Sequence, residues 1–196
     1  AAGTSAAPEQ DQPAPSRAPE VPAYQALFPG LYAPGTARST VYEEKTVYLT
    51  FDDGPSERTP EILEILDRYD VKATFFVTGR EDAQSRTWMA EAAAAGHVLG
   101  LHSHSHDYSA VYASVEGFLE DCDRLSALIE EATGKKPEIL RFPGGSVNAY
   151  NAGIYRELIA EMTRRGFAYF DWNLSAGDAA PDGPGAETVA ENALAA

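Results

Sequence analysis

Short apolar runs alternate with longer amphipathic segments along this chain from about Lys45 onward. The apolar runs are rich in β-branched and aromatic residues, which indicates strands, and the longer segments carry apolar residues at helical spacing. Strands are predicted at 46–51, 72–77, 98–101, 138–141 and 168–171, and helices at 56–69, 82–95, 114–133, 155–165 and 187–195. Repeated strand and helix in this order implies a parallel sheet. Periodicity alone does not distinguish a (β/α) barrel from an open sheet.

Three polar motifs come where predicted strands end, which is where parallel sheets and barrels place active sites. They are TFDDGP at 50–55, HSHSH at 102–106 and RFPGGS at 141–146. They supply two adjacent carboxylates, two imidazoles four residues apart, and an arginine followed by a turn with free N–H groups. Alone, the carboxylate pair reads as a turn or helix cap and the histidine tract as a polar loop. Together, one carboxylate and two histidines are a usual ligand set for a catalytic divalent metal.

In order and spacing these motifs resemble those of the polysaccharide deacetylase family, also called the NodB-homology or carbohydrate esterase family 4 group. The resemblance covers about three quarters of the chain, and TFDDGP is its most specific part. It implies an α/β fold, a distorted and incomplete (β/α) barrel.

The resemblance also implies roles for the motif residues. The metal ligands would be Asp53, His102 and His106, with zinc as the first choice and cobalt or another divalent ion as alternatives. The spacing of the two histidines predicts a helical turn that puts both rings on one side. Asp52 would be the general base, and Arg141 would hold that carboxylate in place and keep it ionised.

Two motifs depart from the family pattern. In many relatives a tyrosine follows the proline that matches Pro143, whereas Gly144 holds that position here; the resemblance still implies substrate binding at both residues. The fourth motif fits two registers. In the preferred one Asp178 is the catalytic aspartate of the motif and Trp172 lines the sugar pocket; in the other the motif is Asp171-Trp172. Trp172 also fits a role in core packing.

The fifth family motif, an apolar strand that ends in a histidine, has no match before Ala196. By resemblance, this histidine protonates the leaving amine. His104 is the only nearby substitute, and we expect its ring to point away from the metal. The sequence therefore predicts a domain truncated before its last strand.

Composition limits the partners. The formal net charge of −15 argues against nucleic acid, which requires clustered Lys and Arg, and against an electrostatic hold on anionic lipid. A largely neutral glycan is compatible with this charge. No apolar run reaches the roughly 20 residues of a membrane-spanning helix, so we expect no direct membrane insertion. The single cysteine, Cys122, excludes an internal disulfide.

The first part of the chain differs in composition from the rest. Residues 1–38 are rich in Ala, Pro, Ser, Glu and Gln and predict a flexible linker, although its apolar residues near Leu31 are suited to packing on the domain. Residues 39–196 would be the deacetylase-like domain, incomplete at its C-terminus. Such a linker suits a tether through a missing N-terminal leader, and hence a location outside a bacterial cell or in association with its envelope. We expect a monomer.

These features predict metal-dependent removal of N-acetyl groups from a glycan, first of all from the amino sugars of peptidoglycan. Chitin oligomers and acetylated xylan are alternative substrates. A non-catalytic glycan-binding domain is favoured by the missing acid but opposed by the presence of Asp52 and Arg141. Hydrolysis of a small cyclic amide is a third reading, which the linker opposes.

Overall fold

The computed structural model describes residues 20–35, 45–179 and 183–195. Its strands are β1 (Thr50–Asp52), β2 (Thr74–Thr78), β3 (Val98–Ser103), β4 (Ile139–Leu140) and β5 (Ala168–Tyr169). Its helices are α1 (Thr59–Arg68), α2 (Ala83–Ala94), α3 (Tyr108–Val111), α4 (Val115–Thr133), α5 (Tyr155–Arg164) and α6 (Ala186–Leu194), and a 3₁₀ turn lies at Ala23–Ala26. The predicted alternation of strand and helix is confirmed; the sequence pattern does not predict the short helix α3.

The five strands form one parallel sheet in the order β1-β2-β3-β4-β5. Each strand pairs in parallel with the next, and β2 and β3 pair over the longest stretch. A strand order that follows the sequence is that of a (β/α) barrel, because a doubly wound sheet reverses its order part-way. The C-terminal ends of all five strands consequently lie along one edge.

Three strands, β1, β4 and β5, have only half the length that the sequence predicts. β1 begins at Thr50 instead of Thr46, and Val47 and Tyr48 before it are 81% and 75% exposed. β4 and β5 have two residues each. β1 and β5 lie at the edges of the described sheet, and each pairs with one neighbour only. Apolar residues next to these strands are therefore not sufficient to lengthen them.

Helix ends follow local signals in the sequence. Asp82 caps α2 by accepting from the N–H of Ser85 at 2.9 Å, and Ser114 caps α4 by accepting from the N–H of Gly117 at 3.1 Å. Gly134 ends α4 with φ of 71°. The core lies between the sheet and its helices, with buried residues that include Phe75, Val77, Leu101, Leu119 and Leu125. In the described part of the chain, no helix combines the length and apolarity that crossing a membrane requires.

Residues 20–35 pack on the domain, which corrects their assignment to a flexible linker. Leu31 is fully buried, and Arg165, which follows α5, donates hydrogen bonds to backbone carbonyls of this segment. The sequence-based interpretation allowed such packing for the apolar residues near Leu31, and its domain boundary after residue 38 lies outside the described residues. The other residues of the predicted linker lie outside the described ranges.

Candidate metal centre and its surroundings

The motif residues lie at the ends of neighbouring strands. Asp52 is the last residue of β1, His102 lies near the end of β3, and Arg141 directly follows β4. The N–H of Arg141 donates to the carbonyl of Leu101 at 2.8 Å. This bond carries the ladder one residue past β4 and places Arg141 beside the first histidine.

Asp53 and the two predicted histidine ligands bring their donor atoms together. Asp53 Oδ1 lies 3.2 Å from His102 Nε2 and 3.1 Å from His106 Nε2, and the donor atoms of the three residues all lie within 4.8 Å of one another. The other ring nitrogen of His102, Nδ1, lies 2.8 Å from the carbonyl oxygen of Arg141. Because a carbonyl only accepts, Nδ1 carries the proton and Nε2 presents its lone pair to the centre.

The surroundings of these donor atoms fit a cation. His106 Nε2 is buried and makes no hydrogen bond to the described residues, an arrangement that costs free energy unless another partner is bound. The pKa of the Asp53 carboxyl is lowered, first by its contact with the ring of His102. The carboxylate is thus ionised at neutral pH, as a metal ligand must be. One carboxylate and two imidazole nitrogens directed at one point can hold a divalent metal and leave positions open.

The histidine segment is not the helical turn that its spacing predicts. His102 lies in β3, and His106 follows a bend and has φ of 53°. The buried carboxylate of Asp121 on α4 holds this bend by accepting hydrogen bonds from Ser103 Oγ at 2.8 Å, His104 N at 2.6 Å, Ser105 N at 2.8 Å and Ser105 Oγ at 2.7 Å. Ser103 Oγ in turn accepts from the N–H of His106 at 2.9 Å. Hydrogen bonds therefore connect Asp121 to the second histidine of the centre.

Asp121→Asn is expected to weaken zinc binding by about 10- to 100-fold, the usual cost of losing an outer partner of metal ligands. An amide nitrogen cannot accept, so two donors of the histidine segment would lose their partners. Competition with a chromophoric chelator measures the affinity. Glu120→Gln, at the exposed neighbouring position, is the matched control and should bind zinc like the wild type. If the two variants bind zinc equally well, the segment positions its histidines without the Asp121 carboxylate.

His104 lies between the two histidines in sequence but faces away from them. Its Nε2 is 3.0 Å from Glu81 Oε1. Its ring also packs against Gly79, where an added Cβ would lie 2.5 Å from the ring. The His104 imidazole is thus not part of the donor cluster.

Asp52 is held by a buried arginine beside the donor cluster. Arg141 Nη1 donates to Asp52 Oδ1 at 2.9 Å, and the guanidinium lies between the rings of Phe76 and Trp172, 4.4 and 4.9 Å from their centroids. Burial raises the pKa of Asp52, and the charge of Arg141 offsets part of that rise. A carboxylate with this environment, adjacent in sequence to a metal ligand, is suited to accept a proton.

The turn after Arg141 offers a backbone donor. Gly144 and Gly145 have φ of 72° and 91°, values that favour glycine. The N–H of Gly145 donates within the turn, whereas the N–H of Gly144 makes no hydrogen bond to any described residue. Pro143 is buried, and its carbonyl accepts from the hydroxyl of Tyr112 at 2.8 Å. Pro143 thus orients the turn from inside, and any contact with substrate at this turn remains a prediction.

The sequence allows two registers for the fourth motif. The structure brings the residues of the second register, Asp171 and Trp172, to the site. Asp171 accepts from the N–H of Ser146 at 2.9 Å and from the Ser146 hydroxyl. Trp172 covers Arg141 and is 45% exposed, so it is not a core residue. Asp178 is exposed and makes no hydrogen bond or ion pair with the rest of the described chain. This geometry favours the second register, and a catalytic role for Asp178 remains a prediction.

Three residues close to the centre were not singled out from the sequence. For Asp121 a signal exists, since it is an acid within the buried apolar stripe of α4. Tyr108 and Tyr150 gave no signal, because tyrosines are common at surfaces and in cores alike. In the structure the Tyr108 ring lies 5.3 Å from the ring of His106, and the Tyr150 ring lies 5.2 Å from that of Tyr108.

The fold and site define a class: a parallel α/β protein with a carboxylate and two histidines converging at the C-terminal edge of its sheet. The family model described as polysaccharide deacetylase matches residues 40–163. The chain belongs to the polysaccharide deacetylase family.

Individual relatives agree with this assignment. The peptidoglycan-N-acetylglucosamine deacetylase of Bacillus cereus is 33% identical over 156 residues, which are 78% of this chain and 55% of the relative. The putative polysaccharide deacetylase YheN of Bacillus subtilis is 36% identical over 135 residues, 69% of this chain and 46% of that protein. This chain therefore spans about half the length of the curated relatives it matches.

A solved structure confirms the predicted fold. The catalytic domain of peptidoglycan N-acetylglucosamine deacetylase from Eubacterium rectale matches with a TM-score of 0.77 and 41% sequence identity. The match covers 82% of this chain and 74% of the other. The five-stranded parallel sheet is thus the sheet of a deacetylase-type, incomplete (β/α) barrel.

Proposed function

We propose that this domain hydrolyses N-acetyl groups of a glycan in a metal-dependent reaction. One observation carries the proposal: the donor atoms of Asp53, His102 and His106 converge beside a carboxylate, Asp52, that a buried Arg141 holds. A site that only bound metal would have no use for a second carboxylate with its own buried arginine.

Each residue of the site has a separate role in the proposed reaction. Asp53, His102 and His106 would hold a divalent metal, which would polarise the acetamide carbonyl and lower the pKa of water. Asp52 accepts the proton of the attacking water, and Arg141 keeps the carboxylate oriented. The free N–H of Gly144 donates to the oxygen that gains negative charge as water adds to the carbonyl carbon. The proton that Asp52 took from water then passes to the amide nitrogen, the C–N bond breaks, and the products are acetate and a free amino sugar.

The substrate we favour is the N-acetylated amino sugar of peptidoglycan, with chitin oligomers and acetylated xylan as alternatives. The names of the Bacillus cereus and Eubacterium rectale relatives support this choice. The net charge of −15 suits a largely neutral glycan. Zinc is the metal we favour, since its usual ligands include this donor set. A monomer associated with the cell envelope or outside a bacterial cell completes the proposal.

Acetate release from chitotetraose and from purified peptidoglycan tests the proposal. We expect release with added zinc, loss of release to background after chelation, and recovery when zinc is returned. Asp53→Asn serves as the control, because zinc at the same concentration should not restore it. Release that persists after complete chelation would contradict a metal-dependent reaction.

A glycan-binding role without hydrolysis is the second candidate. The same samples distinguish the two functions. Zinc and chitotetraose that bind without acetate release would favour binding over hydrolysis.

A further inference from the structure

Tyr108 lies directly beside the donor cluster and is firmly positioned. It is the first residue of α3, which Asp107 caps by accepting from the N–H groups of Ser109 and Ala110. The Tyr108 ring meets the His106 ring edge-on, with centroids 5.3 Å apart and planes at 76°. A second buried ring, that of Tyr112, supports it from the other side at 6.2 Å. The half-buried face of Tyr108 is therefore held at a fixed place next to a metal ligand.

The same ring lies close to Gly144 in the glycine turn. A Cβ added at Gly144 would lie 3.1 Å from Tyr108 Cε2 and 3.5 Å from its hydroxyl oxygen. A Cβ contact at 3.1 Å is tight, so a side chain at this position would displace the Tyr108 ring slightly. The lack of a side chain at Gly144 is thus what allows Tyr108 to approach the peptide whose N–H is free. Tyr108 consequently borders both parts of the proposed site, the donor cluster and the backbone donor.

Tyr150 extends this aromatic surface toward solvent. Its ring meets the Tyr108 ring edge-on at 5.2 Å and 87°, and the residue is 59% exposed. Its backbone N–H donates to Asn148 Oδ1 at 2.8 Å, and the Asn148 amide donates to the carbonyls of Pro143 and Gly145. Tyr150 is thus tied to the same turn as Gly144. The two tyrosines form a continuous aromatic surface that starts at His106 and ends in solvent.

We infer that Tyr108 and Tyr150, the tyrosine pair, form a sugar-binding surface on which the pyranose ring carrying the reacting acetamide packs. The inference rests on the proposed function. It adds a contact with the sugar ring that determines which substrates the site accepts. Pyranose rings present faces of C–H groups, and aromatic rings cover such faces while polar neighbours fix the orientation. A sugar packed on Tyr108 would direct its substituent toward the adjacent His106 and Gly144. The pair would therefore select substrates by the face of the sugar ring as well as by the acetyl group.

Variants of Tyr108 test the inference by kinetics and by binding. Tyr108→Ala is expected to raise KM for chitotetraose roughly tenfold, the effect of uncovering part of one ring face, with a smaller change in kcat. Tyr108→Phe keeps the ring and should stay close to the wild type, and Tyr150→Ala should show a smaller rise than Tyr108→Ala. Tyr69→Ala, at an exposed tyrosine after α1, is the control and should leave KM unchanged.

Binding measurements separate this inference from the proposed reaction. Chitotetraose affinity is measured by calorimetry in the zinc-loaded Asp52→Asn background, with and without Tyr108→Ala, and zinc affinity is measured for each protein. A tenfold loss of sugar affinity at unchanged zinc affinity supports the tyrosine pair, even if the wild type releases no acetate and the proposed reaction fails. If the wild type releases acetate and Tyr108→Ala has the same KM, the inference about the tyrosine pair is wrong while the proposed reaction stands. The inference is also overturned if Tyr108→Phe loses as much as Tyr108→Ala, or if zinc affinity falls in parallel.

Discussion

Asp52→Asn is expected to lower kcat for acetate release by about 10² to 10⁴-fold while zinc affinity stays at the wild-type value. The amide of asparagine keeps the shape of the carboxyl group, and its oxygen can still accept from Arg141, which lies 2.9 Å from Asp52 Oδ1. It cannot take a proton from water at neutral pH. Because the proton moves only in the transition state, the loss should appear in kcat with little change in KM. Acetate release at saturating substrate and chelator competition for zinc measure the two quantities.

Asp53→Asn is the matched control, since it makes the same change at the neighbouring residue. Asp53 belongs to the donor cluster, so this variant should lose zinc affinity, and higher zinc should restore part of its activity. Added zinc should not restore Asp52→Asn. The role of Asp52 as general base would be wrong if Asp52→Asn kept more than about a tenth of the wild-type kcat. A parallel loss of zinc affinity would make Asp52 a ligand instead.

The convergence of the candidate metal ligands could be predicted because the topology of the sheet brings them together. Alternating apolar runs and amphipathic segments predict parallel strands, and parallel strands deliver their C-terminal ends to one edge. Asp53, His102 and Arg141 could thus be placed together although they are far apart in sequence. Local signals also predicted helix ends, as at Ser114 and Gly134, because a cap depends only on residues within one turn.

The parts that could not be predicted depend on contacts between distant side chains. A spacing of four residues suits a helical turn, but His102 and His106 are brought together by a bend that the carboxylate of Asp121 holds. Asp171 and Asp178 offer the same chemistry in sequence, and only a contact with Ser146 places the first of them at the site. Neither contact produces a periodic pattern in the sequence, so neither could be predicted from it.

The N-terminal arm, residues 20–35, shows the same limit for the fold. The Ala- and Pro-rich composition of residues 1–38 predicts a linker, although the apolar residues near Leu31 are suited to packing on the domain. The structure holds it through Arg165, a residue at the end of a distant helix. Arginines there are usually surface residues, and the sequence carries no sign that this one is 1% exposed.

Arg165→Met is expected to lower the free energy of unfolding by about 3–5 kcal/mol. The five N–H groups of the guanidinium donate to Glu161 Oε1 at 2.7 Å and to the carbonyls of Phe28 at 2.8 Å, Leu31 at 3.2 Å, Tyr24 at 3.4 Å and Leu27 at 2.9 Å. Methionine fills similar space without donating, so the carbonyls of the arm lose their partners and Glu161 keeps only Arg164. Chemical denaturation followed by circular dichroism measures the change, which is a large share of a typical stability of about 5–15 kcal/mol.

Arg156→Met, on the exposed side of the same helix, is the control and should unfold like the wild type. Limited proteolysis provides a second measurement, because release of the arm should speed cleavage within residues 20–35 in Arg165→Met alone. An unfolding midpoint shared by the two variants would contradict a structural role for the guanidinium.

The pH dependence of stability tests whether the ion pairs of Glu161 with Arg164 and Arg165 stabilise the folded protein. Burial acts to raise the pKa of Glu161, but hydrogen bonds from Arg164 and Arg165 outweigh it and leave the pKa below its ordinary value of 4.5. The carboxylate therefore stabilises the fold fully above that value, and its contribution is lost as the pH falls through the lower pKa of the folded protein. The difference in unfolding free energy between the wild type and Glu161→Gln should be large near neutral pH and should narrow in acid. If the difference were independent of pH, packing rather than the charge of Glu161 would hold the arm.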